Sequence, residues 1–526
     1  MRLIIFVLAL TGAYAKVLLT EELIALNSTN QKVPIDLPTY YKPLNTSHNL
    51  EQKCDSANDI LGELDCPVDK KIDNGTALIL TPYIENGRIE EARNASEVNS
   101  DLFLGVKSYS GFFTVNKTFD SNSFFWYFPV EGKQVNETPW IIWLQGGPGV
   151  SSLMGLFEEF GPVRVSKLGA IKRNPYAWTQ NHSLLFIDNP IGTGYSFTNH
   201  PDGYVSDMAT YSKHLLSTVE QFLQVFPELR SAPLFIAGES YAGKYVPALG
   251  AELHRAKTSE MLDVNLQGFL IGNALVDPSM IKNVSRLFYY FGLINEEELQ
   301  IIHPIMKAFR EDIDAHDSVA AKDKWVTLVT VLLKLSNQQQ AYNFLNDELS
   351  VGTYLHLLES SEIKRAIHVG DIKYSFLNLT VNEEMAPDFL SSSKELFEEL
   401  LENGYRVLSY CGHLDQFISC LASAENHRTW NWKGKQQFIE SAKVPFKYQG
   451  KLAGYCKSGG NLTEALVRGA GHMVPVDQPG RGQYLVTNWI SKNLQDTEST
   501  LIKKTYLQSI LNFTTLNFKT QFVPSF

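Results

Sequence analysis

Cysteine is scarce in this chain, and its few cysteines form no metal-binding pattern. The 526 residues include only Cys54, Cys66, Cys411, Cys420 and Cys456. No Cys-x-x-Cys pair or Cys/His cluster occurs, so we predict no metal and no other cofactor. The odd number leaves at least one thiol free or paired between molecules. A bridge between Cys54 and Cys66 is favoured, and the remaining pairing stays open.

Long basic blocks and long apolar runs are also missing. The net charge is −11, and no Lys/Arg block could neutralise a run of phosphates, so nucleic acid is not a predicted partner. Beyond the first residues, no stretch is apolar for long enough to span a membrane. With 44% hydrophobic and 12% aromatic residues, the chain is expected to bury a large core.

The first fifteen residues have the layout of a signal peptide. Met1 and Arg2 precede the apolar run from Leu3 to Leu10, and mostly small residues follow up to Ala15. We therefore predict cleavage after Ala15 and a secreted, extracellular or lysosomal protein. An uncleaved membrane anchor is the alternative, but the run is far shorter than the roughly 20 residues that span a bilayer.

Glycosylation sequons agree with passage through the secretory pathway. Eleven are present, none with proline in the middle, at Asn27, Asn45, Asn74, Asn94, Asn116, Asn136, Asn181, Asn283, Asn378, Asn461 and Asn512. Such tripeptides also arise by chance in Asn-rich chains, so only their excess is informative. Together with the signal peptide, they predict an oxidising compartment.

The pattern of apolar residues predicts an α/β fold with a mostly parallel central sheet flanked by helices. Short strand-like runs lie at Ser123 to Val130, Trp140 to Leu144, Leu184 to Asp188, Leu234 to Gly238, Leu266 to Gly272 and Arg406 to Tyr410. Apolar residues recur at helical spacing between Val205 and Phe226, and strand, helix, strand is typical of a parallel sheet. Further strand signals lie between Phe446 and Arg468.

The same pattern divides the chain into six predicted segments. They are a signal peptide (1–15), an N-terminal arm or pro-segment (16–100), a first core half (101–282), a helical insertion or cap (283–350), a second core half (351–495) and a tail (496–526). The insertion is helical, charged and without a convincing strand. Because strand signals stand on both sides of it, we expect one sheet that the insertion interrupts.

A strand, turn and helix pattern indicates a nucleophile at Ser240. The apolar strand from Pro233 leads into Gly238-Glu-Ser-Tyr-Ala-Gly243. A sharp turn of this kind projects the serine hydroxyl above the sheet edge and directs the next backbone N–H, that of Tyr241, toward a developing oxyanion. The generic motif has glycine two residues after the serine, whereas this chain has Ala242.

A glycine cluster after another strand predicts the second half of an oxyanion hole. In Trp143-Leu-Gln-Gly-Gly-Pro-Gly149, unhindered backbone N–H groups could point at an anion. Taken alone, the cluster could equally be a turn between core elements, and only the serine motif favours the oxyanion role. A phosphate loop is disfavoured because Gly-x-x-x-x-Gly-Lys is missing.

A base and an acid follow in the second half of the chain. His472 lies in a loop directly after the apolar segment Ala465 to Val467, and Asp415 follows the strand that begins at Arg406. On its own, His472 could be an ordinary surface histidine. The order serine, acid, histidine is that of α/β-hydrolases, where the acid holds the histidine tautomer and the histidine accepts the serine proton.

These motifs together resemble the signatures of the serine carboxypeptidase family, peptidase family S10 of the α/β-hydrolase fold. The two glycine-rich motifs and Gly471-His-Met-Val-Pro-Val-Asp-Gln-Pro479 occur in the family's order. Ile187-Asp-Asn-Pro-Ile-Gly-Thr-Gly-Tyr-Ser196 is similar to a segment that lines the family's site. The resemblance covers roughly residues 108–489.

The resemblance implies a role for each residue of the site. It assigns catalysis to Ser240, Asp415 and His472, the oxyanion hole to the amides of Gly147 and Tyr241, and the substrate carboxylate to Gln145, Gly146, Glu159 and Glu239. Peptide or protein C-termini would be cleaved through an acyl-enzyme. Because the two glutamates and a substrate carboxylate cannot all be charged, the apparent pKa of the glutamate pair should be raised, and binding should weaken as pH rises.

Three positions depart from the commonest family pattern. Gln145 replaces the usual Asn, Val150 replaces a frequent half-cystine, and Cys411 stands where Asn is common. The first two are similar to the vitellogenic-like carboxypeptidase branch, and Cys411 could affect the acid's orientation. Acyl transfer from a small ester and a non-catalytic secreted binding or storage protein are the alternative functions.

Overall fold

The computed structural model describes residues 73–349 and 351–494, which are built around an eleven-stranded sheet. In chain order the strands are β1 (Tyr109–Asn116), β2 (Ser121–Phe128), β3 (Trp140–Leu144), β4 (Val163–Val165), β5 (Ile171–Arg173), β6 (Ser183–Ile187), β7 (Phe197–Thr198), β8 (Leu234–Glu239), β9 (Leu266–Gly272), β10 (Arg406–Gly412), β11 (Lys443–Tyr448), β12 (Lys451–Gly459) and β13 (Leu462–Val467). β4 and β5 form a separate two-stranded sheet.

Helices surround this sheet. In chain order they are α1 (Thr81–Glu85), α2 (Ile89–Ala95), α3 (Met208–Val225), α4 (Ala242–Thr258), α5 (Val284–Tyr290), α6 (Glu296–Asp314), α7 (Ser318–Leu335), α8 (Leu355–Glu359), α9 (Ser361–Ala366), α10 (Leu379–Glu384), α11 (Lys394–Glu402), α12 (Cys420–Thr429), α13 (Lys435–Glu440), α14 (Val474–Asp477) and α15 (Pro479–Ile490). A short π-helix spans Gly155–Phe160. Along residues 73–349 and 351–494, none of the helices combines the length and apolarity needed to cross a membrane.

The centre of the sheet is parallel, as the sequence predicts. The strand order is β1-β2-β6-β3-β8-β9-β10-β13-β12-β11, and the six strands from β6 to β13 pair in parallel. β3 and β6 are buried at every position because helices cover both faces, which explains their continuous apolar runs. The α/β class is confirmed.

The antiparallel edges are where the sequence-based boundaries differ from the structure. β2 begins at Ser121, two residues earlier than expected, because it pairs along its length with β1, as in Tyr109 opposite Tyr127. At the other edge, the strand signals between Phe446 and Arg468 resolve into β11, β12 and β13.

Part of the segment assigned to the N-terminal arm packs against the core. Leu80 and Ala92 are fully buried, and the Leu80 N–H donates to the Phe112 carbonyl at 2.8 Å. The described residues from Gly75 onward belong to the same compact unit as the sheet. The predicted signal peptide, the favoured Cys54–Cys66 bridge and the tail after residue 494 lie outside the described residues.

Helices α5, α6 and α7 occupy the stretch that interrupts the sheet between β9 and β10. Asn295 begins α6 with a capping box, since its side chain accepts from the Glu298 N–H while Glu298 bonds back to the Asn295 N–H. Phe309 of α6 packs on Trp325 of α7 with ring centroids 5.8 Å apart. This ring contact joins α6 to α7.

The structure pairs Cys411 with Cys420 and leaves the buried Cys456 as a free thiol. Cys411 is the second-to-last residue of β10 and Cys420 begins α12, so the disulfide closes a short loop that contains Asp415. None of the eight predicted glycosylation asparagines among the described residues is buried. The side-chain nitrogen of Asn378 already donates to the Gly192 carbonyl at 2.8 Å.

Candidate active site

Ser240 occupies a strained turn between β8 and α4. Its φ of 62° is unusual for a residue with a side chain. The Ser240 N–H donates to the Gly272 carbonyl at 3.0 Å, and the Ser240 carbonyl accepts from the Leu275 N–H at 2.9 Å. These two bonds to the end of β9 hold the strained backbone, which presents the hydroxyl at the sheet edge.

Two glycines, Gly146 after β3 and Gly238 in β8, allow the close packing around this turn. A Cβ on Gly146 would lie 2.6 Å from the Tyr241 nitrogen, and a Cβ on Gly238 would lie 2.7 Å from the Ala242 Cβ. Only glycine fits at either position. The second contact also explains why alanine fits at position 242. Gly238 has no side chain, so the Ala242 methyl group can occupy the space next to it.

His472 and Asp415 form a buried hydrogen-bonded pair. His472 Nδ1 lies 2.7 Å from Asp415 Oδ2, and the side chains are 4% and 0% exposed. With Asp415 ionised, Nδ1 carries the proton, which leaves Nε2 as the ring nitrogen available to a serine. The backbone N–H of His472 donates to the Tyr342 carbonyl at 2.6 Å, so the ring is also positioned from the helical insertion side.

Asn273 orients Asp415, a role that the sequence did not indicate. Its Nδ2 donates to Asp415 Oδ2 at 2.7 Å, while its Oδ1 accepts from the Gly412 N–H at 2.9 Å. The Phe417 N–H donates to the other carboxylate oxygen at 2.7 Å. Asn273 directly follows β9, and a polar residue at the carboxyl end of a parallel strand is the signal that could have identified it.

Two pockets meet at Ser240. The larger has a volume of about 680 Å³ and the smaller about 300 Å³, and both are lined by Gly147, Ser240, Tyr342 and His472. The structure therefore brings the predicted nucleophile, base and acid to one place. A substrate carbonyl at Ser240 would border both pockets.

The predicted oxyanion donors flank the same position. Gly147, with φ of 115°, and Tyr241 both line the larger pocket. Within residues 73–349 and 351–494, neither backbone N–H is used in a hydrogen bond to another group. Two free amides beside a nucleophile can stabilise the charge that develops on a carbonyl oxygen during attack.

The predicted carboxylate-binding residues form a buried polar group at the smaller pocket. Gln145 is fixed from both ends, because its Oε1 accepts from Trp143 Nε1 at 2.8 Å and its Nε2 donates to Glu239 Oε1 at 3.0 Å. Gln145, Gly146 and Glu239 line the smaller pocket, whereas Glu159, on the π-helix, does not. The longer Gln145, which stands where Asn is usual in the family, thus donates a hydrogen bond to Glu239.

Glu159 and Glu239 are two almost fully buried acids. In the part of the chain that the structure describes, no hydrogen bond reaches Glu239 Oε2 or either carboxyl oxygen of Glu159. Burial raises the pKa of both groups, and the charge of Glu159 raises that of Glu239 further. Burial therefore favours the protonated form of each acid, and a protonated carboxyl can donate a hydrogen bond to an anion. Among the described residues, no group of three or more His, Cys, Asp or Glu is placed to hold a metal ion.

Comparison with known proteins links this site to a family. The profile described as "Serine carboxypeptidase" matches residues 99–492. Vitellogenic carboxypeptidase of Aedes aegypti is 34% identical over 445 residues, which cover 80% of this chain and 91% of that protein. Probable serine carboxypeptidase CPVL of Homo sapiens is 35% identical, covering 80% of this chain and 90% of its own length.

A solved structure agrees at the level of the fold. The crystal structure of Kex1(delta)p, a prohormone-processing carboxypeptidase from Saccharomyces cerevisiae, superposes with a TM-score of 0.66 at 21% sequence identity. It covers 76% of this chain and 96% of the yeast chain. With the family profile matching well over half of the sequence, the chain belongs to the serine carboxypeptidase family.

Proposed function

We propose that the protein hydrolyses the C-terminal residue of peptides and proteins through an acyl-enzyme, with Ser240 as nucleophile, His472 as general base and Asp415 as its acid partner. The observation that carries this proposal is the 2.7 Å bond between His472 and Asp415 beside a strained serine in the same pocket.

The reaction then follows from the geometry. His472 Nε2 accepts the Ser240 proton as Oγ attacks the scissile carbonyl, and the amides of Gly147 and Tyr241 stabilise the oxyanion. The imidazolium gives its proton to the leaving amine, which departs as the free C-terminal amino acid. Water, activated by the same histidine, attacks the acyl-enzyme and restores Ser240.

The smaller pocket accounts for selection of a chain end. Gln145 and the Gly146 backbone would bind the terminal carboxylate of the substrate, together with a protonated Glu239. The burial of Glu239 and, after it, the proximity of Glu159 raise the pKa of Glu239 and favour its protonated form. Because an ionised pair would repel that carboxylate, this arrangement supports activity that is best at acidic pH.

A destination in the secretory pathway fits the chemistry of the surface and the cysteines. The Cys411–Cys420 disulfide is typical of an oxidising compartment. Of the described sequon asparagines, Asn94, Asn136, Asn283 and Asn461 are exposed and accessible to a glycan. We propose a secreted or lysosomal enzyme on these grounds.

The test is hydrolysis of an N-blocked dipeptide and of its C-terminal amide from pH 4 to 8, by wild type and Ser240→Ala. We expect cleavage of the free-acid peptide at acidic pH, weak cleavage of the amide, and a loss of roughly 10⁴-fold or more in the variant. Absence of serine-dependent turnover of the free acid at every pH would contradict the proposal, and ester donors as the best substrates would favour acyl transfer.

A further inference from the structure

Outside the catalytic residues, the larger pocket at Ser240 is lined mostly by apolar side chains and contains one buried lysine. Side chains that line it include Leu275, Ile281, Trp325, Val326, Phe389 and Phe417. Lys322 also lines it, and among the described residues no Asp or Glu does. An amino group in such surroundings is costly to bury unless an anion can approach it.

Lys322 is held in place without being neutralised. It lies on α7, is 8% exposed, and donates from Nζ to the Asn382 backbone carbonyl, its one hydrogen bond within the described ranges. The carboxylates that act on its charge are those of Glu383 and Asp323, and neither lines the pocket. Two of the three Nζ donors therefore remain for a ligand.

The position of the pocket identifies which part of a peptide would reach Lys322. If the smaller pocket holds the terminal carboxylate beside Gln145 and Glu239, as proposed above, the departing residue lies on that side of Ser240. The larger pocket is then on the acyl side of the scissile bond. It receives the side chain of the penultimate residue, which stays attached to the serine in the acyl-enzyme.

We propose that Lys322 makes this pocket selective for peptides whose penultimate residue carries a carboxylate, glutamate or aspartate. The aliphatic stem of such a side chain packs on the apolar walls while its carboxylate pairs with Nζ. Burial lowers the pKa of Lys322 to about 8, so the amine is charged throughout the acidic range in which the proposed peptidase works. This inference rests on the proposed function and deepens it.

Four N-blocked dipeptides with a common C-terminal Phe and penultimate Glu, Gln, Leu or Lys test the assignment at pH 5.5. For wild type we expect kcat/KM about tenfold higher for Glu than for its neutral isostere Gln, with Lys the poorest substrate. In Lys322→Met the ratio of Glu to Gln should fall to about one.

Lys324→Met is the matched control. Lys324 lies on the same helix, is 41% exposed, does not line the pocket, and approaches Asp312 at 3.9 Å. Its removal should leave the ratio of Glu to Gln unchanged. Lys322→Arg, which keeps the charge, should retain the preference for Glu and separates loss of charge from a folding defect of Lys322→Met.

The possible outcomes distinguish an error in the role of Lys322 from an error in the proposed peptidase function. Serine-dependent cleavage of the Leu peptide with no preference for Glu over Gln in wild type would overturn the role of Lys322 alone. So would an unchanged ratio in Lys322→Met. Failure of all four peptides to undergo Ser240-dependent cleavage would instead overturn the peptidase proposal on which the inference rests.

Discussion

At the scale of single residues, the buried pair Glu159 and Glu239 determines how the proposed site responds to pH. Each carboxyl has its pKa raised by burial, and proximity to Glu159 raises that of Glu239 further. Below these raised pKa values both groups are neutral, and Glu239 can donate from its unpartnered Oε2. Above them, negative charge accumulates where the proposed function places the substrate carboxylate.

We therefore predict that KM for a free-acid peptide rises between pH 5 and pH 8 in wild type, and rises less steeply in Glu239→Gln. Glutamine can accept the bond from Gln145 and offer an N–H to the substrate at every pH. Steady-state kinetics across this range measures both slopes.

The matched control for this substitution is Glu220→Gln on α3. Glu220 has a pKa that burial also raises, but it lies outside both pockets at Ser240. The control should follow the wild-type curve. A KM in Glu239→Gln that rises as steeply as in wild type would contradict the assignment of Glu239.

Residue identity alone predicted part of this site. Ser240, His472 and Asp415 stand in motifs with their own local signals, and the structure brings them together. Asn273 and Lys322 stand in no such motif. Each reaches the site through a contact with a residue far away in sequence, Asp415 and Asn382 respectively, which a local pattern does not show. The parallel pairing of β9 with β10 brings Asn273 to Asp415, and the packing of α7 brings Lys322 to the pocket.

At the scale of elements, the disulfide between the end of β10 and the start of α12 encloses the Asp415 loop. Cys411 and Cys420 are nine residues apart, and Asp415 lies between them. The sequence flagged Cys411 as a departure from the family pattern but could not give its partner, since Cα positions decide which thiols can meet. The bridge restricts the loop in both folded and unfolded chains.

We predict that Cys411→Ser with Cys420→Ser lowers the free energy of unfolding by about 2–3 kcal/mol, as expected when a short loop is no longer closed. Lower kcat should accompany the loss, because Asp415 is less well positioned. Denaturant unfolding and peptide kinetics measure the two effects.

A reductant provides the control for this pair of substitutions. Dithiothreitol should weaken wild type more than the double variant, because any bridge elsewhere in the chain is present in both. Equal stability of the oxidised wild type and the double variant would show that the bridge does not hold the loop.

Some strands and helices could be predicted from the sequence, and others could not. Buried central strands such as β3 and β6 were predicted because helices on both faces demand continuous apolar runs. The edge strand β1 was not, since its pairing with β2 is decided by a turn between them. Helix α3 was predicted from its 3.6-residue apolar period, and its ends differ by a few residues from that period.

At the scale of the whole molecule, buried acids make folding itself dependent on pH. Burial raises the pKa of Asp188 to about 6, in addition to raising those of Glu159 and Glu239. Between the pKa of about 4 of an unfolded carboxyl and their own raised folded-state values, these three carboxyls bind more protons in the folded protein than in the unfolded chain. Their contribution to the free energy of unfolding falls as pH rises from about 4 through the folded-state values, and His182, whose pKa burial lowers to about 3, contributes in the opposite direction.

We predict that the protein is more stable at pH 5 than at pH 8, by on the order of a few kcal/mol. Glu159→Gln should reduce this difference, because it removes one buried ionisation. Denaturant unfolding of both proteins at the two pH values gives the comparison. Equal or greater stability of wild type at pH 8 would contradict the prediction.

The order of strands in the sheet also has a consequence for how the enzyme is made. Ser240 follows β8, but His472 follows β13, which joins the sheet beside β10 only after the helical insertion has been synthesised. During translation, more than two hundred residues are therefore added after Ser240 before His472 is made. An amino-terminal fragment that stops short of His472 lacks the general base of the proposed site, so under this proposal the activity belongs only to chains synthesised past that residue.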